Sequence, residues 1–179
     1  MMNPDFDTIS HLAGGTPRQK QAHAVLIKYV ILEDLKSYTP ILVGTIPINI
    51  DIEGSDLDVI CEYHDKAQFT GHLQTLFSSF TEFKLTEATI NGQETILANF
   101  MADGFEIEIF GQQIPVKQQY GYRHMIIEHE LLQRKGEAFR QEIISLKKQG
   151  YKTEPAFAKA LDLTGNAYEE LLNIDIKQF

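Results

Sequence analysis

Ile41-Leu42-Val43-Gly44-Thr45, followed by Gly54-Ser55-Asp56-Leu57-Asp58-Val59-Ile60-Cys61, decides how this chain is read. The apolar run from Ile41 to Val43 predicts a short strand closed by Gly44-Thr45. Asp56 stands twelve residues after Gly44, and Asp58 two places further on, inside an apolar run from Leu57 to Tyr63. Side chains of a strand alternate faces, so Asp56 and Asp58 share one face while Leu57, Val59 and Cys61 take the other. A turn before a strand explains Asp56, since Gly-Ser-Asp is turn chemistry. It does not explain Asp58. Two carboxylates roughly 7 Å apart on one strand face repel each other and are costly to desolvate. A divalent cation offsets both costs, and Mg²⁺ binds through one or two carboxylates with water and phosphate oxygens completing its shell. Mg²⁺ or Mn²⁺ is therefore the expected cofactor.

A third acid is expected from Phe105-Glu106-Ile107-Glu108-Ile109-Phe110, where Glu106 and Glu108 share a face opposite Phe105, Ile107 and Ile109. Glu108, between two isoleucines and just before Gly111, is preferred, with Glu106 close behind. A solvent-facing edge strand, where charges discourage pairing with another chain, is the bland alternative. Gly44 permits close approach of backbone N–H groups to an anion, and the hydroxyls of Thr45 and Ser55 lie in the same stretch. Further on, Arg123 is a candidate for bidentate contact with phosphate oxygens. His124 and Glu128 are four residues apart on a helix and could pair.

Outward from this stretch, Thr16-Pro17-Arg18-Gln19 carries a capping box with proline at the first helical position, and a helix should run from there toward Tyr38-Thr39-Pro40. Residues 1–15 read as a loose lead-in. A helix is expected over 67–80, then strands over 82–89, 94–100 and 105–110. Asn91-Gly92 and Asp103-Gly104 are two-residue hairpin signals between those strands. From Lys117 the pattern is helical: 118–134, a break at Gly136, 137–149, then short helices over 153–163 and 166–172. The pairs Arg134-Lys135 and Lys147-Lys148 read as solvated helix faces.

The 179 residues suffice for one domain with a sizeable core, and 43% apolar with 23% charged content is ordinary for a globular protein. Cys61, the only cysteine, excludes an intramolecular disulfide and reads as a small core residue. No apolar run approaches the ~20 residues of a membrane helix and no leader opens the chain, so a cytoplasmic, membrane-free protein is expected. The net charge is −9, with 16 basic against 25 acidic residues. A protein gripping a nucleic-acid backbone usually presents a basic face, so duplex DNA is not an expected partner.

The combination of Gly44-Thr45 with Ser55-Asp56-Leu57-Asp58 resembles the core signature of the nucleotidyltransferase superfamily. That signature is apolar-Gly-Gly/Ser, a spacer, Asp-apolar-Asp/Glu, and a third acid on a later strand. Thr45 stands where serine is commoner, and Glu106 or Glu108 where aspartate is commoner. More widely, Gly44-Thr45-Ile46-Pro47, Glu108-Ile109-Phe110-Gly111-Gln112, Tyr122-Arg123-His124-Met125 and Lys152-Thr153-Glu154-Pro155 resemble a bacterial family of unknown function, DUF4269. The resemblance implies an α/β (α+β) fold: a mixed sheet with flanking helices in residues 1–116 and a helical part, 117–179, packed on it. It implies Asp56, Asp58, and Glu108 or Glu106 as catalytic acids, with metal on Asp56, Asp58 and Glu108. Gly44, Thr45, Ser55 and Arg123 would bind the nucleotide. The reaction implied is transfer of a nucleoside monophosphate from a nucleoside triphosphate to a small-molecule or protein acceptor. A nucleotide-binding module of the same fold with little or no catalysis is the alternative.

Overall fold

The structure, a computed structural model, describes residues 4–178. In chain order it comprises α1 (Ser10–Ala13), α2 (Pro17–Lys28), α3 (Ile31–Asp34), β1 (Ile41–Val43), β2 (Leu57–Glu62), α4 (Lys66–Phe77), β3 (Thr81–Ile90), β4 (Gln93–Ala102), β5 (Phe105–Gln112), α5 (Tyr120–Lys148), α6 (Thr153–Ala160) and α7 (Ala167–Asn173). The strands form one mixed sheet of order β1-β2-β5-β4-β3. β2 and β5 run parallel; every other neighbouring pair is antiparallel. The sheet thus carries both acid-bearing strands side by side at its centre.

Strand alternation sorts the two faces. Leu57, Val59 and Cys61 of β2 and Ile107 and Ile109 of β5 pack with α2 and α4 in one core. Val43 and Ile60 turn the other way, into a second core with Met125, Leu132 and Ile143 of α5, Phe157 of α6 and Leu171 of α7. Asp58 and Glu108 are on the parity of Ile60, and so face the C-terminal helices. Cys61 is fully buried, and burial pushes its thiol well above the usual range.

Both hairpin signals turn as read. Asn91 and Gly92, and Asp103 and Gly104, all have positive φ, the backbone that a two-residue turn between twisted strands requires. The capping box at Thr16 and Gln19 is formed, and Asn166 caps α7. Gly136, at φ 76°, breaks α5 where expected.

Three expectations change. The lead-in is not loose over its described part: Phe6 is buried between the rings of His11 and His129, and Leu12 of α1 is fully buried. Residues 1–3 of that reading lie outside the described residues. The helix begun at Pro17 stops at Lys28, because Val30 adopts a left-handed conformation, and α3 then redirects Ile31 and Leu35 into the core. Lys147 is not on a solvated face; it is buried and donates to the Ile50 carbonyl at 2.8 Å. The neighbouring Lys148 is exposed.

Gly111 fixes how closely α4 approaches the sheet. A Cβ there would lie 2.1 Å from the Phe69 ring, which is fully buried and stacked on Tyr63. The ring has nowhere to go. Gly111→Ala should therefore destabilise the fold by about 1–3 kcal/mol through overpacking. Urea unfolding of the variant checks this, and a midpoint equal to wild type would show that Phe69 can yield.

Candidate functional site

The two strand ends and the face of α5 enclose a cavity of about 570 Å³. Gly44, Thr45, Asp56, Asp58 and Glu108 line it from the sheet side. The register explains why. Val43 is paired with Asp58 across β1 and β2, and Asp58 with Glu108 across β2 and β5. Asp56 immediately precedes β2, so it lies at the strand's mouth, not within it.

Gly44 leaves β1 with φ +83°, and a Cβ on it would come 2.3 Å from Asp58 Oδ2. The position therefore needs glycine twice, once for its backbone and once because the Asp58 carboxylate rests directly against it. Burial pushes the Asp58 carboxyl well above its usual range, and Asp56, Glu108, Glu106 and Glu154 push it the same way. Among the described residues no basic group offsets them at Asp58. Glu108 is half-buried and also raised, first by burial and then by Asp56 and Glu106, against a hydrogen bond from Asn99. The Asn99 amide donates to both glutamates, to Glu108 Oε2 at 3.2 Å and to Glu106 Oε1 at 3.3 Å. Glu106 shares the face but is exposed and lies outside the cavity lining.

Thr45 lines the cavity, and its hydroxyl donates to Ser55 Oγ at 3.4 Å. Ser55 Oγ in turn accepts from the Ile52 amide at 3.0 Å, so this hydroxyl is used in closing the loop and is not among the lining groups. Arg123 is exposed on α5 beside the Tyr120 ring and does not reach the cavity. His124 and Glu128 both line it but do not pair. His124 Nε2 meets the Tyr168 carbonyl at 2.8 Å, and its Nδ1 faces Glu154 at 3.6 Å. Glu128 is 3% exposed, and its Oε1 has no hydrogen-bond partner.

The loop carrying Thr45 to Ser55 is bolted from behind by groups that a reading of the sequence missed. Gln19 of α2 donates to the Ile46 and Pro47 carbonyls, Arg140 to those of Ile48 and Asn49, and Lys147 to that of Ile50. Gln119, buried at the start of α5, donates to the Cys61 carbonyl and so ties the helix to β2. These partners are separated by between 27 and 97 residues in sequence, and nothing local marks them. Glu128 did carry a signal: an acid set among Ile127, Leu131 and Leu132, one helical turn beyond His124.

Hard oxygen donors from Asp56, Asp58 and Glu108 on one wall of a cavity that no lysine or arginine among the described residues lines suit Mg²⁺ or Mn²⁺. Among the described residues no three acidic, histidine or cysteine side chains are already drawn into a chelating group. Among the described residues no helix is long and apolar enough to cross a membrane.

Comparison with solved structures gives the same fold. The GLD-2/RNP-8 complex superposes with a TM-score of 0.55 at 11% identity, over 86% of this chain and 61% of that one. The polymerase core of TRAMP, an RNA surveillance complex, gives 0.51 at 12% identity over 88% and 49%. The Cid1 poly(U) polymerase with Mg 3′-dATP bound gives 0.52 at 12% identity over 87% and 48%. This chain thus spans about half to three-fifths of the length of these neighbours. At such identities the likeness establishes a nucleotidyltransferase-like fold. No curated protein matches the sequence. The family described as a domain of unknown function, DUF4269, matches residues 24–174, and the chain belongs to that family.

Proposed function

We propose that the chain is a metal-dependent nucleotidyltransferase that moves a nucleoside monophosphate from a nucleoside triphosphate to a small acceptor. The observation that carries this is the Asp58 carboxylate. It is held against Gly44, in register with Glu108, beside Asp56, and faces a cavity that no lysine or arginine among the described residues lines. Such a buried, crowded carboxylate is a liability to a fold unless it serves a cation. The fold neighbours add support, since one of them binds Mg 3′-dATP.

Asp56, Asp58 and Glu108 would hold Mg²⁺ or Mn²⁺, which supplies charge neutralisation for the triphosphate and for departing pyrophosphate. The chain's own residues do the positioning. Gly44 and Thr45 offer backbone N–H groups and a hydroxyl where β1 ends, and the loop behind them is fixed by Gln19, Arg140 and Lys147. Asn99 orients Glu108. In the transfer, the acceptor oxygen bonds to the α-phosphorus, the bond from that phosphorus to the bridging oxygen breaks, pyrophosphate leaves, and the acceptor proton passes to solvent. Positioning and electrostatics carry the rate.

No lysine or arginine lines the cavity among the described residues, so triphosphate binding here should depend wholly on the metal. Mg²⁺ or Mn²⁺ should raise the melting temperature by linkage, and Glu108→Gln should weaken metal-dependent nucleotide binding more than Glu106→Gln does. Thermal shift and calorimetry with a nonhydrolysable triphosphate test both. Nucleotide binding that is indifferent to metal would overturn the proposal, and equal effects of the two glutamine variants would remove Glu108 from it.

A further inference from the structure

The cavity has a second acidic wall that the transfer chemistry does not use. Facing the sheet acids, Glu128 of α5, Glu154 of α6 and Glu169 of α7 line the helical side. The walls are close enough to interact, since Glu154 acts on Asp58 and Glu128 alike. A triphosphate is repelled by this wall, and metal on the sheet side leaves three helical carboxylates with one lysine and one histidine beside them. Lys147 is the lysine that acts on this wall, partly offsetting Glu128 and Glu154. It lies behind the lining, and its ammonium is committed to the Ile50 carbonyl. His124 is held by the Tyr168 carbonyl and Glu154.

Glu128 shows that this wall is more than a charged surface. It is 97% buried by its 3% exposure, lines the cavity, and keeps Oε1 without a partner. A buried carboxyl oxygen without a hydrogen-bond partner is costly to a fold, and here it points to a ligand that completes it. Two aromatic rings stand beside it: Tyr120 is 42% and Tyr168 39% exposed, and both are in ring contact with His124. Aromatic faces next to carboxylates favour cations.

We infer that the helical wall binds the acceptor, and that the acceptor is a small hydroxylated molecule carrying at least two amines, with its ammonium groups paired to Glu128 and Glu154. The inference rests on the nucleotidyltransferase reading only in calling this ligand the acceptor; the binding itself does not. A cavity of about 570 Å³ lies in the range used for small ligands. Two ammonium groups would neutralise the helical wall and leave the sheet acids to the metal. Burial and Glu154 push the Glu128 carboxyl well above its usual range against an opposing pull from Lys147, and a bound ammonium would add to that pull toward the charged form.

The test is calorimetry on the full chain near neutral pH, with saturating Mg²⁺. The probes are 1,3-diamino-2-propanol, spermidine, and the neutral N,N′-diacetyl derivative of the first. The amines should bind and the diacetyl compound should not. Glu128→Gln and Glu154→Gln should each weaken amine binding roughly tenfold or more, as expected for loss of a charge-assisted pair. Glu142→Gln, at an exposed acid outside the cavity lining, should leave it within about twofold. Circular dichroism melts confirm that each variant folds, and two variants on separate helices guard against one failing. Absence of amine binding overturns the inference, as does equal binding of the diacetyl compound. So does binding that Mg²⁺ displaces and Asp58→Asn abolishes, because the amines would then sit on the sheet acids. Metal-dependent binding of a nonhydrolysable triphosphate is measured in parallel. Nucleotide binding without amine binding sinks only the acceptor assignment. Amine binding without nucleotide binding sinks the transferase reading and leaves the amine site standing.

Discussion

Asp58→Asn is expected to abolish metal-dependent nucleotide binding and transfer while making the chain without metal more stable at neutral pH. Both effects come from the same carboxylate. Burial and four neighbouring acids raise its pKa in the folded state. A group raised in this way contributes stability that is fully present below its unfolded value and is lost as pH rises through the folded value. At neutral pH the charged form therefore costs the fold, and asparagine relieves that cost. The melting temperature of the variant should exceed wild type without metal, by about 2–4 °C for each kcal/mol of relief in a chain of this size. The advantage should shrink as pH falls toward the unfolded carboxylate range. With Mg²⁺ the order should invert, since wild type alone gains by linkage. Differential scanning calorimetry across pH, with and without Mg²⁺, reads all three. A variant less stable than wild type without metal would mean that Asp58 is a structural acid.

Gly44→Ala should be nearly as damaging to function, by a different route. The added methyl would lie 2.3 Å from Asp58 Oδ2, and the backbone is at φ +83°. The carboxylate must swing away, and the residue must adopt a strained conformation costing on the order of 1 kcal/mol or more. A displacement of about 1 Å at a catalytic group costs on the order of 100-fold in rate. Transfer should fall by about that factor, with stability falling only modestly. Gly54 is the control: it too has positive φ, but a Cβ there meets nothing within 4 Å. Gly54→Ala should share the backbone strain and keep the activity, whereas equal losses in the two variants would make strain, not Asp58, the cause.

Much of this was legible in the chain because its signals are local. The hairpins at Asn91-Gly92 and Asp103-Gly104, the capping box at Thr16 and the break at Gly136 each follow from the backbone preferences of one or two residues. The acids were legible because a charge inside an apolar alternation is out of place. Parity could not separate Glu108 from Glu106 as the third acid, and only the isoleucines flanking Glu108 favoured it; Glu108 lines the cavity, whereas Glu106 is exposed outside the lining. Sequence could not show what depends on packing. Lys147 looks like half of a basic surface pair, yet the Ile50 carbonyl buries it. Arg123 looks like a phosphate ligand, yet the phase of α5 turns it outward while Tyr120, His124 and Glu128 turn in. The interruption at Val30 has no glycine or proline to announce it; burial of Ile31 and Leu35 imposes it.

Asp56, Asp58 and Glu108 are proposed to form one metal-dependent nucleotide site. Its most direct test is a crystal structure with Mn²⁺ and a nonhydrolysable nucleoside triphosphate, read by the anomalous signal of manganese. The expected result is manganese coordinated by Asp56, Asp58 and Glu108, with the triphosphate running past Gly44 and Thr45. Manganese on Glu128 and Glu154, or a nucleotide bound outside this cavity, would contradict it.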